Sequence, residues 1–111
     1  MPLGTERRLG PARLWHHRPA AGDPRPAVLL VHGGYHGAWC WDYWAERLAA
    51  AGREVAALDL RGHGGLPQPP GYAETGVMGF VEDVVAGIDA LDRAAVVVGH
   101  SLGCLLVPLA A

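Results

Sequence analysis

The chain has 111 residues, half of them hydrophobic, which suits one small globular domain over residues 1–111 and excludes a disordered polymer. Its formal charge is −2, and all nine basic residues are arginines interspersed among eleven acids. No basic patch interleaves with aromatics, so nucleic acid is not an expected partner. The two cysteines, Cys40 and Cys104, lack CxxC spacing and read as small buried apolar residues, with no metal or cofactor implied.

In chain order, the first stretch, "MPLGTERRLGPARLWHH", lacks the apolar core of a signal peptide. No apolar run approaches the ~20 residues of a membrane span, so no membrane partner and a cytoplasmic location are expected. "RLWHHRP" (Arg13 to Pro19) suits a short early strand, with His16 and His17 exposed, and "AGDPRP" suits a turn. "AVLLV" (Ala27 to Val31) is apolar without alternation, as in a strand buried on both faces. "HGGYHGAWC" is glycine-rich loop. "WDYWAERLAAAG" predicts a helix, with Asp42 in its first turn, Gly52 at its stop, and Trp39, Trp41 and Trp44 packing it, a pocket wall being the alternative for Trp39 or Tyr35. "EVAALDL" (Glu54 to Leu60) is a second core strand, with Asp59 at its end suited to organising a loop by hydrogen bonding. The glycine- and proline-rich segment from Gly62 to Gly76 reads as a connection.

Val77, Phe80, Val81, Val84, Val85, Ile88 and Leu91 then recur at spacings of three and four. They predict a helix whose acids Glu82, Asp83, Asp89 and Asp92 face water. "AAVVVG" is a third buried strand, and "SLGCLLVPLAA" begins a helix that Pro108 is expected to cut short. The alternation of strand and helix implies an α/β fold with a mostly parallel sheet flanked by helices. Ligands bind such sheets beyond the carboxyl ends of the strands.

Ser101 is the only serine, and it stands in "GHSLG" between a strand and a helix. A chain that must leave a strand, reverse and enter a helix within a few residues holds the central residue in a strained conformation. Only glycine tolerates the crowding on either side. The turn pushes the hydroxyl out above the sheet as a nucleophile, and the first helical amide, that of Leu102, points to where charge develops on an attacked carbonyl. "HGGYHG", leaving the same sheet edge, can aim backbone N–H groups at the same point.

Together these segments resemble the N-terminal half of the α/β-hydrolase fold, through its nucleophile elbow. "VLLVHGGYHGAWCW" resembles its oxyanion-loop segment, "VAALDLRGHG" its next strand and loop, and "VVVGHSLG" its elbow. "HGAWCW" is also similar to small carboxylesterases, methylesterases and hydroxynitrile lyases. The resemblance implies Ser101 as nucleophile, Gly34 and Leu102 as oxyanion-hole donors, and His32 as a brace of the loop. It further implies an ester or related acyl substrate. In this fold an acid and then a histidine follow the nucleophile, and the ten residues "LGCLLVPLAA" hold neither. The expectation is a truncated serine hydrolase, or alternatively a non-catalytic binding or interaction module. Among earlier residues, His36 is placed near the pocket mouth, His63 suits a turn brace, and His100 is aimed away from Ser101. "AAVVV" is expected to form an exposed apolar edge that leaves the chain marginally stable or aggregated.

Overall fold

The computed structural model describes residues 4–111. Five strands form one sheet in the order β1-β2-β4-β3-β5: β1 is Thr5–Leu9, β2 Ala12–His17, β3 Ala27–Val31, β4 Val55–Asp59 and β5 Ala95–Gly99. β3 pairs in parallel with both β4 and β5, whereas β1 and β2 form an antiparallel hairpin laid along β4. The sheet is therefore mixed, with a parallel core as the apolar runs imply. All five residues of β3 and of β4 are buried. Both faces are covered, which is why these runs lack polar alternation.

Helix α1 (Asp42–Ala50) lies on one face and packs with a core of Val28, Leu30, Ala38, Trp41, Ala45, Val55 and Ala57. Helices α2 (Val77–Leu91) and α3 (Leu102–Ala110) lie on the other, over Leu29, Val31, Leu58, Val84, Leu91 and Leu106. Alternate residues of β3 thus serve opposite cores, Val28 and Leu30 one and Leu29 and Val31 the other. At the edge, Val96 of β5 is 51% exposed, and Leu105 and Leu109 of α3 are half exposed. This is the open apolar edge expected at "AAVVV".

Several details depart from the sequence-based expectations. β1 was not expected, because "TERRL" is polar and pairs only with β2. His16 is buried, its Nε2 2.8 Å from the Glu54 carboxylate, which also accepts from Arg93 at 2.8 Å. Burial raises the Glu54 pKa, and the hydrogen bonds from His16 and Arg93 outweigh it, leaving a lowered value. Asp83 is 2% exposed rather than solvated, because Arg61 donates to both of its oxygens from the end of β4. Cys104 is exposed, whereas Cys40 is half buried against the core under α1. Of the three tryptophans before and in α1, only Trp41 is buried. Pro108 lies inside α3, which runs on to Ala110. Only the amide it lacks, and with it the bond to Cys104 four residues back, is forfeited. No helix among the described residues is long and apolar enough to cross a membrane.

Candidate active site

The site forms beyond the carboxyl ends of β3, β4 and β5, where three loops meet. The sharpest feature is Ser101, with φ 56° and ψ −115°. A non-glycine residue with positive φ and this ψ is strained, and it persists only where its surroundings hold it. Here they do so by close approach. A Cβ at Gly99 would lie 2.4 Å from the Gly103 carbonyl oxygen, and one at Gly103 would lie 2.4 Å from the Val31 oxygen. Both glycines around the serine are therefore required by packing of backbone on backbone. The His100 N–H donates to the Val31 oxygen at 3.1 Å, and the Cys104 N–H to the Ser101 oxygen at 2.8 Å, fixing both sides of the turn.

The Ser101 side chain is exposed and faces the glycine loop. A Cβ at Gly33 would lie 2.9 Å from the Ser101 Cβ. The loop itself is braced by His32, which is fully buried. Its Nε2 accepts the Leu60 N–H at 3.1 Å, so the proton sits on Nδ1, which donates to the Gly33 oxygen at 2.6 Å. Burial lowers the His32 pKa to about 4, so the ring is neutral at pH 7 and this tautomer is the bracing one. Gly34 follows, and a Cβ there would meet nothing within 4 Å. Among the described residues, the N–H groups of Gly34 and Leu102 donate to no protein acceptor.

Gly34 and Leu102 both line a cleft of about 650 Å³. Tyr35, His36 and Trp39 form one wall; Gly62 to Gly65, Gln68, Tyr72 and Phe80 form the other. Ser101 is not itself a lining residue but adjoins Leu102 in the chain and Gly33 in space. The segment read as a mere connection thus supplies half the cleft. Its signal in the sequence was only its glycine content; the aromatic positions Tyr72 and Phe80 gave no separate one. His63 sits in this wall, Nδ1 bonded to the Arg61 oxygen at 2.9 Å and its ring 5.2 Å from that of His32, a turn brace as expected. His36 has a buried Nδ1 without a partner, and its ring stacks on His100 at 6.1 Å. Among the described residues, no histidine or carboxylate is hydrogen-bonded to Ser101 Oγ.

A parallel core, a strained serine between two sterically required glycines, and two free amides at one cleft define an α/β protein built around a tight strand-to-helix turn. The model of the Alpha/beta hydrolase family matches residues 28–111, and the chain belongs to that family. It is 40% identical over 89 residues to Esterase PIR7B of Oryza sativa subsp. japonica, covering 74% of this chain and 31% of that protein. It is 38% identical over 89 residues to Methyl jasmonate esterase 1 of Vitis vinifera, covering 74% and 32%. The structure of an epoxide hydrolase from an endophytic Streptomyces superposes with a TM-score of 0.78 at 30% identity, over 100% of this chain and 34% of that one. The chain spans about a third of the length of these two curated relatives.

Proposed function

We propose that the chain carries the nucleophile and oxyanion hole of a serine hydrolase acting on an ester or related acyl compound. Ser101 Oγ would attack the acyl carbon, and the C–O bond to the alcohol would break. The hydroxyl proton would leave with the alkoxide as free alcohol, and water would later release the acid. Gly34 and Leu102 N–H groups would receive the negative oxygen. The observation that carries the reading is the strained backbone of Ser101, because an ordinary helix cap has no use for it. The Gly34 and Leu102 amides support it, since among the described residues they donate to no protein acceptor. The esterases among the relatives support an ester as the electrophile.

A second reading rests on the absence, among the described residues, of a base bonded to Ser101. In it the same cleft binds an acyl compound without turning it over. Incubation with a fluorophosphonate, followed by mass spectrometry, separates the two. A single adduct on Ser101, absent from Ser101→Ala, supports the hydrolase. Reversible binding of an ester without any adduct supports the binding module.

A further inference from the structure

Both ends of the glycine loop are held by consecutive positions at the end of β4. Its start is held by His32, which accepts the Leu60 N–H. Its end is held by Asp59, whose Oδ1 accepts the Ala38 N–H at 2.6 Å. The apex between them, Tyr35, is fully exposed, with φ 63°. The second Asp59 oxygen accepts from Arg13 Nε at 2.8 Å and from Trp15 Nε1 at 3.0 Å. The Arg13 guanidinium is also 2.8 Å from Asp59 through its terminal nitrogen, and that nitrogen donates to the Gly64 oxygen at 2.6 Å. Gly64 is in the opposite wall, so close that a Cβ there would overlap the Asp59 carboxylate at 2.0 Å. A Cβ at Gly37 would in turn lie 2.6 Å from the Gly64 Cα. The carboxylate is 2% exposed, with Ala38 N–H on one oxygen and Arg13 and Trp15 on the other.

We propose that Asp59 and Arg13 are positioning residues that couple the two walls of the cleft and so set where the Gly34 amide stands relative to Ser101. Asp59 holds the oxyanion-loop wall, and Arg13 ties that same carboxylate to the Gly64 wall. Arg13 and Trp15 lie in β2, ahead of the family-matched residues 28–111, so the hairpin contributes to the geometry of the site and not only to the sheet. The clamp acts on the site read above as a serine-hydrolase centre, and its first test does not require that centre to react.

The test is residue-resolved amide exchange by NMR on the 111-residue chain. In Asp59→Asn, exchange of the Ala38 amide and of the His63 and Leu66 amides, which close turns in the opposite wall, should accelerate at least tenfold relative to the amides of β3. In Arg13→Met, no donor is left to link the Asp59 carboxylate to the Gly64 oxygen, while the acceptor for the Ala38 N–H is kept. Only the His63 and Leu66 amides should then accelerate, with Ala38 staying protected. Unchanged exchange at Ala38 in Asp59→Asn, or uniform acceleration across the sheet in both variants, overturns the proposal, the latter because it shows a contribution to stability alone. The rate of fluorophosphonate labelling adds a second readout. It should fall at least tenfold in Asp59→Asn under conditions where both proteins are folded, and an equal rate refutes the effect on Gly34. If the unaltered chain takes no label at all, the reading of Ser101 fails, and the exchange pattern still decides the clamp.

Discussion

Replacing Gly103 by alanine sets two physical tendencies against each other. Gly103 is the second residue of α3, and alanine is favoured over glycine in a helix by up to about 1 kcal/mol. Propensity alone therefore predicts a more stable protein. The added Cβ, however, would stand 2.4 Å from the Val31 oxygen and 3.2 Å from both the Val31 carbon and the His32 oxygen. Ordinary contact begins near 3.4 Å, so α3 would have to lift about 1 Å from β3. All the atoms met are backbone, and no rotamer change relieves them. Overpacking of this kind costs about 1–3 kcal/mol, and the rigid neighbours place it at the upper end. The net expectation is a loss of about 2 kcal/mol, a large fraction of the roughly 5–15 kcal/mol that holds a domain folded. Urea unfolding followed by tryptophan fluorescence reads it, with Gly34→Ala as control. That Cβ meets nothing within 4 Å, so its stability should stay within about 0.5 kcal/mol of the unaltered chain. A Gly103→Ala protein as stable as the parent, or a Gly34→Ala protein equally damaged, would refute the claim that backbone crowding dictates glycine at the elbow.

Acid should act in two windows. The His32 pKa is about 4 in the folded chain against 6.5 unfolded, so the unfolded state takes up the proton first. Stability should be complete above pH 6.5 and decline toward pH 4, by an upper bound of about 3 kcal/mol, and His32→Gln should flatten that slope in urea titrations. Asp23, held well down by the Arg25 side chain, and Glu54 have lowered pKa values, so their contribution is present above the usual carboxylate range. It is lost only as pH falls further, which scanning calorimetry below pH 4 should show as a second decline. Glu54→Gln should cost about 2–3 kcal/mol in chemical denaturation, because it leaves the Arg93 guanidinium and the buried His16 ring without their carboxylate. Val96→Lys should reduce light scattering of concentrated samples while changing stability by less than about 0.5 kcal/mol, since Val96 is an exposed position on the unpaired edge of β5.

What could be read from the sequence follows from which forces are local. β3 and β4 announce themselves because burial on both faces leaves no room for polar residues, and the elbow does so because strain at Ser101 needs glycine within two residues on each side. β1 gives no such sign. "TERRL" buries almost nothing and is held by backbone pairing to β2, a partner found across the Gly10 turn. The misplaced charges share a different cause. His16 is buried because Glu54 lies 38 residues on, and Asp83 because Arg61 approaches from 22 residues before it. A helical stripe can say that position 83 flanks the apolar face, but only the chain path says that a guanidinium waits there.

The same distinction explains the shape of the candidate site. Its strained turn is encoded in one short motif, whereas its walls are assembled at long range, by Asp59 to Ala38 across 21 residues and Arg13 to Gly64 across 51. Motif and walls therefore respond differently to substitution. A side chain added at either glycine of "GHSLG" meets backbone within 3 Å and is felt as strain. A change at Arg13 meets none of the elbow residues, yet it unties the Asp59 carboxylate from the Gly64 wall. If the cleft selects its substrate by the spacing of its walls, variation in β2, ahead of the family-matched segment, alters that spacing while leaving every residue of the elbow in place.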